Sequence, residues 1–516
     1  MSSWRDICGI DDILPDSGVG ALIDGQQVAV FRCGNGLYGL DNLDPASDAN
    51  VLARGIVGDL RGEPVVASPI YKHHYSLLTG RCLEDEGCSV STWPVRQRAG
   101  RVELWPKPWR RRGGGRGRLI VIGNGMAGMR VVEELLELAP SRYDITVFGA
   151  EPHDNYNRVL LSPMLAGECE AGEIVMHPRS WYEERGIRLH AGETVVAIDR
   201  VRRIVRTASG LEAGYDRLLL ATGAVPFVPA IAGHDLPGVV AFRSLGDVET
   251  MLARATAGGP AVVIGGGLLG LEAAAGLSRR GMSVSVVHLA SHLMERQLDE
   301  TAATMLRASL EARGIVFHLG ATTTAIEGRD AVAAVRLADG RQLPARLVVI
   351  AAGIQPNIAL ARAAGLQCRR GVLVDDTLQS FDPRIYAVGE CVEHRSTTYG
   401  LVAPLFEQAM VCARHLAELG TRRYAGSMQA TQLKVTGVEV YSAGDIQGGA
   451  GTETLVLRDA RRGVYRRLVL GGGRLRGALL YGDIRDAPWY TELLRSARPV
   501  AELREQLLFG PPVRAA

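Results

Sequence analysis

The sequence predicts an α/β chain built on two dinucleotide-binding domains, with an all-β domain before them and a small α+β domain after. Two glycine fingerprints carry most of this, Gly123-Asn124-Gly125-Met126-Ala127-Gly128 and Gly265-Gly266-Gly267-Leu268-Leu269-Gly270. Each follows an apolar run (118–122 and 261–264) and opens a helix-like stretch. The second observation is the alternation of strand-like and helix-like segments from 118 to about 420, as a helix-covered sheet requires. The third is the pattern of short runs and turn residues in both flanks.

Length agrees, since 516 residues leave room for three or four domains of roughly 150 residues each. The net charge of +2 gives no pull toward nucleic acid or an acidic membrane. Eight cysteines are scattered without a C-x-x-C, which implies reduced thiols in a cytoplasmic protein rather than a disulfide scaffold. Met1-Ser2-Ser3-Trp4-Arg5-Asp6 lacks the basic-then-apolar build of a secretory signal. The longest apolar stretch, 260–278, holds Glu272 and five glycines, so the second fingerprint explains it better than a membrane span does.

At the amino end, the runs 28–33, 37–40 and 65–68, with the turn Gly34-Asn35-Gly36, predict a β domain over 1–105. Prolines, arginines and glycines over 106–117 predict a solvated linker. A dozen Gly-rich residues span roughly 17–21 Å, so the β domain stays near its neighbour. The first nucleotide domain is expected over 118–245 and 328–420, with the second, 246–327, inserted, because signals of the first resume near Ile385. Residues 421–516 open with β-rich runs (432–442, 465–470, 475–481) and close with a helical pattern over 487–496.

In a G-x-G-x-x-G turn the first glycine makes the bend and the second lets backbone approach a pyrophosphate. The third lets helix pack on strand, and the helix N-terminus meets the phosphate charge. One such unit holds one dinucleotide, so two imply two: a bound flavin and a transient NADH or NADPH that gives it hydride. Glu151, just past the run 143–148, is placed for ribose hydroxyls, or is an ordinary loop acid. Its offset of 28 from Gly123 exceeds the usual ~20. Ala221-Thr222-Gly223 closes an apolar strand, where a tight turn can approach a ligand. Glu390, after Ile385-Tyr386-Ala387-Val388-Gly389, is placed to accept from a ribityl chain. Pro404 sits ahead of a helical pattern over 405–416. A helix N-terminus aimed at a flavin ring would stabilise the charge of its reduced form by ~0.3–1 kcal/mol if exposed.

With Gly353-Ile354-Gln355-Pro356-Asn357, these motifs resemble, in kind and order, the pyridine-nucleotide flavoprotein reductases over about 117–420. The disulfide-reductase branch carries a redox cysteine pair after the first unit. Here that region reads Tyr156-Asn157-Arg158-Val159-Leu160-Leu161-Ser162-Pro163. The resemblance therefore implies that electrons leave the flavin directly, as in the rubredoxin and ferredoxin reductase branch. That branch often has lysine after the Leu-Ser pair; Pro163 stands here, so no role of that lysine carries over.

The first fingerprint, Tyr156 to Ser162, Leu293-Met294-Glu295-Arg296-Gln297-Leu298-Asp299 and Tyr399-Gly400-Leu401-Val402-Ala403-Pro404 further resemble the flavin half of the bacterial NAD(P)H nitrite reductase large subunit. Residues 1–105 resemble its small subunit, notably in Trp4-Arg5-Asp6-Ile7-Cys8, Asp11-Asp12-Ile13-Leu14-Pro15, Val51-Leu52-Ala53-Arg54-Gly55 and Glu84-Asp85-Glu86. The two stand fused, in reversed order, and the likeness includes 431–485. The large subunit would continue into an iron–sulfur and sirohaem half with clustered cysteines, whereas no cysteine follows Cys412. Without sirohaem there is no site for nitrite reduction, so the resemblance implies an electron-transfer subunit of the assimilatory nitrate reductase type. The small subunit is Rieske-like, and a Rieske cluster needs C-x-H and C-x-x-H pairs. Those positions fall near Asp44-Pro45 and read Ser68-Pro69-Ile70-Tyr71, so a cluster-free docking domain is expected. His73, His74, Cys82 and Cys88 fit no common metal template.

The run 283–287 ends at His288, where NAD-specific units usually place Asp or Glu on the ribose 2′-hydroxyl. An imidazole does not repel a 2′-phosphate, so NADPH is expected to be tolerated; the alternative is that His288 merely caps the strand. Cys391 and Cys169 read as small buried hydrophobes. The expected cofactor-binding residues are Gly123, Gly125, Met126, Ala127, Gly128, Glu151, Arg158, Ser162, Val195, Ala221, Thr222, Gly223, Gly265, Gly267, Leu268, Leu269, Gly270, His288, Gly353, Gly389, Glu390 and Pro404. They would hold FAD, with NADH or NADPH as substrate. Hydride transfer needs no side-chain acid or base, so no catalytic residue is assigned, and no metal ligand. The expected function is an NAD(P)H-dependent FAD oxidoreductase serving a partner redox protein, a nitrate reductase catalytic subunit or similar. Neither nucleic acid nor membrane is an expected partner, and a homodimer stays open. Two rivals stand beside it. One is a self-contained flavin reductase or oxidase, acting on a small nitrogen compound or supplying an oxygenase. The other is a non-enzymatic redox-sensing scaffold.

Overall fold

The computed structural model describes residues 4–34, 36–60, 63–85, 88–108, 116–419, 422–428, 430–435 and 437–511. The expected linker at 106–117 lies mostly outside the described residues. No helix among the described residues is long and apolar enough to cross a membrane.

The first unit holds a five-stranded parallel sheet in the order Arg188–Ala191, Tyr143–Gly149, Gly117–Ile122, Arg217–Leu220, Ile385–Ala387. Helices Met126–Leu138 and Val402–Leu416 pack on each other and bury Val131, Val132, Leu135, Ala409 and Cys412 in one core with its strands. Covered faces explain why the central strands read as unbroken apolar runs rather than as alternations. The second unit repeats this plan with Val239–Ala241, Leu347–Ile350, Pro260–Ile264, Ser283–His288 and Val316–Leu319. Each unit also carries a three-stranded antiparallel meander. It runs through Val195–Asp199, Ile204–Thr207 and Glu212–Gly214 in the first, and through Thr323–Gly328, Val332–Leu337 and Gln342–Pro344 in the second.

The second unit is therefore wider than the expected 246–327. Val239–Ala241 precedes that range, and Leu347–Ile350 follows it yet pairs with the fingerprint strand. An isolated Leu-Val-Val-Ile run fits a buried parallel strand of either unit, and periodicity alone does not assign it. The chain crosses between the units through an antiparallel pair, Ala224–Pro226 with Ile354–Pro356.

The amino-terminal domain is a set of small antiparallel sheets. The longest hairpin, Ser17–Ile23 with Gln26–Cys33, turns at Asp24-Gly25, both with positive φ (46° and 85°). An Asp-Gly pair suits that turn because it follows the right-handed twist of the strands. Leu78 packs against the core of the first nucleotide unit.

The carboxy-terminal domain is a five-stranded antiparallel sheet with helix Ala487–Ser496. Its strand Thr452–Asp459 was absent from the expected runs; it lies at the sheet edge, largely solvated and rich in charged residues. Val438, Val440, Ile446, Tyr465, Leu479 and Tyr481 share a core with Leu306 and Leu310 of the second unit. Asp299 joins the two. One carboxylate oxygen accepts from the Ala302 amide at 3.0 Å, capping helix Glu300–Glu311. The other accepts from the Tyr465 hydroxyl and lies 3.6 Å from Arg467.

Asp299→Ala should cost about 1 kcal/mol for the lost cap and ~1–3 kcal/mol more for the orphaned Tyr465 hydroxyl. Urea unfolding of the full chain checks the sum, and Asp299→Asn, which keeps the cap acceptor, should lose less.

Candidate functional site

Each fingerprint is a strand, a glycine turn and a helix held at backbone contact. A Cβ on Gly123 (φ 118°) would lie 2.1 Å from the Ala221 carbonyl oxygen, and one on Gly265 (φ 126°) would lie 2.3 Å from that of Ala351. On Gly128 it would meet the Gly123 oxygen at 2.8 Å, and on Gly270 the Gly265 oxygen at 2.0 Å. The middle glycines differ. A Cβ on Gly125 or Gly267 would meet nothing within 4 Å, and each residue is the N-cap of its helix. The open side of the turn thus lies at a helix N-terminus, where a pyrophosphate is accepted by dipole and free amides. Both cradles fit a dinucleotide. Met126 and Ala127 form the first turn of one helix, Leu268 and Leu269 that of the other.

Around the first cradle, carboxylates meet arginines. Glu151 accepts from the Tyr156 hydroxyl at 2.7 Å and pairs with Arg158. Arg158 also donates to the Arg243 carbonyl at 2.7 Å, and Arg243 pairs with Glu390, one contact being 3.3 Å. Glu390 is mostly buried, its side chain 13% exposed. The Ser244–Asp247 capping box fixes this corner, and Asp247 also accepts from the Arg243 amide at 2.9 Å. Gly223 (φ 65°) lies beside both members of the pair, its Cβ position 3.6 Å from Arg243 and 3.7 Å from Glu390. Gly389 (φ 91°) closes on the fingerprint helix, its Cβ position 3.0 Å from Cβ of Ala127. Gly389 thus sets Glu390 beside the first fingerprint helix, and Arg243 and Arg158 link Glu390 to Glu151. Pro404 is buried in the first turns of helix Val402–Leu416, whose Gln408 accepts from the Gly389 amide at 2.8 Å. Val195 begins the meander and is buried in the first core, joined to the cradle by no hydrogen bond among the described residues.

At the junction of the units, Thr222 donates to the Asn357 carbonyl at 2.7 Å, and the Asn357 amide to the Gly223 carbonyl at 2.9 Å. Gly353 (φ 120°) accepts from the Phe227 amide at 2.9 Å, so it belongs to the crossing strands. Ser162, on helix Leu161–Ala166, donates at 2.5 Å to Glu272 on the second fingerprint helix. Burial pushes the Glu272 carboxyl up, and the single bond from Ser162 offsets only part of that.

His288 does not stand open to a nucleotide as expected. Its ring is buried against Gly266, where Nδ1 accepts the backbone amide at 3.1 Å. Nε2 lies 3.1 Å from Glu295. Gly266 permits this packing, because a Cβ there would lie 2.7 Å from the ring.

In the amino-terminal domain, the positions matching Rieske cluster ligands hold a closed polar cage. Asp44 is fully buried and accepts from Ser68 at 2.5 Å, Tyr75 at 2.6 Å, Ser47 at 3.0 Å and the Ala46 amide at 3.0 Å. Burial alone would raise its carboxyl, and these bonds outweigh it and bring it below the ordinary value. Tyr71 points outward, 61% exposed. The donor set offers neither thiolate nor imidazole, so a [2Fe–2S] cluster does not fit. His74 instead bonds Glu84 at 2.6 Å. Cys391 is buried, its thiol pushed up by burial and donating to the Val388 carbonyl at 3.3 Å, while Cys169 is half-buried against the Leu160 carbonyl.

Three side chains at the site were not singled out from the sequence. Arg243 had a local signal, since it directly precedes the capping box Ser244-Leu245-Gly246-Asp247. Glu272 showed as the one charge in an apolar run, and Glu295 lay inside a quoted motif. Their pairing depends on contacts distant in sequence or on a loop's return path.

Comparison with known proteins follows these divisions. A model described as pyridine nucleotide-disulphide oxidoreductase matches 117–415, one described as Rieske-like [2Fe-2S] domain matches 3–105, and the rubredoxin NAD+ reductase C-terminal domain matches 430–498. The chain is 46% identical to the Bacillus subtilis nitrite reductase [NAD(P)H] over 77% of its own length and 49% of the relative's. It is 42% identical to the assimilatory nitrate reductase electron transfer subunit of the same organism, over 76% of the chain and 51% of the relative. The chain thus spans about half the length of these curated relatives. Among solved structures, the covalent putidaredoxin reductase–putidaredoxin complex is 26% identical at a TM-score of 0.70, covering 77% of this chain and 97% of that one.

Two outcomes follow from this geometry. Gly267→Val would fill the second cradle, so nicotinamide nucleotide binding should weaken at least about a hundredfold (~3 kcal/mol) by calorimetry while flavin content is kept. Glu272 has a raised folded pKa, so it holds its proton longer than in the unfolded chain, and stability falls as pH rises past the ordinary carboxyl range. Glu272→Gln keeps the Ser162 bond without the charge. Its melting temperature should exceed wild type at neutral pH and converge with it near pH ~4.

Proposed function

The chain belongs to the pyridine nucleotide-disulphide oxidoreductase family, and on that premise we propose that it is an FAD-dependent NAD(P)H oxidoreductase serving a partner redox protein. The observation that carries the reading is the pair of like cradles, each with an open middle glycine at a helix N-terminus, joined by crossing strands. FAD in the first cradle would take hydride from a nicotinamide in the second and release electrons singly to a metal centre of the partner. Gly123, Gly125 and Gly128 would admit the flavin's pyrophosphate, and Glu151 and Glu390 would accept its hydroxyls. Arg158 and Arg243 would then keep both carboxylates charge-balanced. Gly265, Gly267 and Gly270 would do for the nicotinamide nucleotide what their counterparts do for FAD.

No cysteine lies between 156 and 163, and Cys391 is buried against backbone, which supports direct exit of electrons without a dithiol relay. The partner we propose is a nitrate-assimilating reductase, supported by the likeness to an assimilatory nitrate reductase electron transfer subunit. The structure of a reductase covalently joined to its electron acceptor, on the same fold, is consistent with a docked partner. The cage at Asp44 supports a docking rather than an electron-carrying role for the amino-terminal domain.

Anaerobic titration of the purified holoprotein with NADH, and separately NADPH, tests this. One equivalent of the preferred nucleotide should bleach the flavin band completely, with no iron–sulfur absorbance beneath it. A flavin band that neither nucleotide bleaches overturns the reading, and residual iron–sulfur absorbance overturns the account of the amino-terminal domain.

A further inference from the structure

We propose that Glu295, positioned by His288, reads the 2′ position of the adenosine ribose and makes the second cradle select NADH over NADPH. The inference rests on the second cradle being the nicotinamide nucleotide site. In a nucleotide-binding βαβ unit, the ribose 2′-hydroxyl meets an acid at the end of the strand after the fingerprint helix. That strand here, Ser283–His288, ends in imidazole rather than carboxylate. The loop after it returns to the fingerprint. The Met294 amide donates to the Gly266 carbonyl at 3.1 Å, and Leu293 packs where a Cβ of Gly266 would be. Glu295 therefore arrives at the middle of the glycine turn, and His288 holds it there at 3.1 Å.

The hydrogen bonds set the donor and acceptor roles of the pair. Nδ1 of His288 accepts the Gly266 amide, so the ring proton is on Nε2 and is donated to Glu295. In this arrangement the imidazole serves Glu295 as a hydrogen-bond donor, and no arginine or lysine pairs with Glu295 among the described residues. Its side chain is 43% exposed, which leaves acceptor capacity for a hydroxyl. A 2′-phosphate carries about −1.5 to −2 at neutral pH and would be repelled. Arg296 is the neighbouring cation, and it is exposed. A phosphate-selecting site would need it turned onto the ribose, whereas the described contacts bring Glu295 to the glycine turn.

The test measures calorimetric affinities of the FAD-loaded full chain for 5′-AMP and 2′,5′-ADP, which carry the distinguishing group without the nicotinamide. Wild type should favour 5′-AMP at least roughly tenfold. Glu295→Gln should narrow that ratio about tenfold or more, by strengthening 2′,5′-ADP while 5′-AMP changes far less. His288→Asn, too short to reach Glu295, should narrow it by a smaller factor. An unchanged ratio in Glu295→Gln overturns the inference and leaves the cradle's assignment standing. A wild-type preference for 2′,5′-ADP that Arg296→Ala abolishes also overturns it. Binding of neither nucleotide overturns both the inference and the assignment beneath it.

Discussion

Everything at the site depends on one close approach made twice: a fingerprint glycine lying against the carbonyl of the residue just past the neighbouring strand. The oxygens of Ala221 and Ala351 occupy the places where Cβ atoms of Gly123 and Gly265 would be. Any side chain would push the fingerprint strand from its neighbour and the helix from both. The constraint propagates outward in parallel. Ala221-Thr222-Gly223 and Ala351-Ala352-Gly353 both leave their sheets through a positive-φ glycine, and the residues after them form the crossing pair. The same turn that admits a phosphate thus also sets the path between the units. A duplicated strand–turn–helix gives two like cradles on units joined by one crossing pair, which suits the transfer between bound nucleotides proposed above.

The features legible in sequence were those whose cause is local. Glycine spacing after an apolar run reports a backbone requirement, and at Gly123, Gly128, Gly265 and Gly270 a Cβ would lie only 2.0–2.8 Å from a backbone oxygen. The strand Leu347–Ile350 was misplaced because four apolar residues do not say which of two like sheets they enter. The buried direction of the His288 ring was not legible for a related reason. Position at a strand end was visible, but the direction of the ring was set by room above Gly266 and by the return of Met294. Arg243 meets Glu390 across 147 residues of chain, so the local signals at each end do not announce that they pair.

The amino-terminal domain shows how a scaffold keeps its shape when its centre changes chemistry. Where a cluster would tie two loops together through metal–sulfur bonds, Asp44 does so through hydrogen bonds to Ser68 and Tyr75. A buried carboxylate is costly unless its acceptor sites are used, and here two hydroxyls beside Ser47 and the Ala46 amide use them. The network holds the loops, but it has no accessible redox couple. Exposed Ile70 and Tyr71 remain on the loop beside Ser68 and leave an apolar surface at that end.

The two cradles share backbone and differ in how their acids are balanced. In the first, Glu151 and Glu390 are each matched by an arginine, so the wall is close to neutral overall. A dinucleotide entering there can exchange partners, its hydroxyls taking carboxylate oxygens and its phosphates taking guanidinium, without leaving a charge unpaired in a part-buried place. Such a wall suits a cofactor that stays. In the second, Glu295 is held through Nε2 of a histidine whose Nδ1 accepts a backbone amide, and among the described residues no arginine or lysine pairs with it. An unmatched carboxylate discriminates against added negative charge and holds a neutral ribose by a hydroxyl bond alone. Modest, selective attraction is what a nucleotide that must come and go requires, because binding it more tightly would slow its release without helping the transfer. On the proposed assignment, the difference between a resident and a visiting nucleotide is carried by the partners of the acids beside the glycine turns.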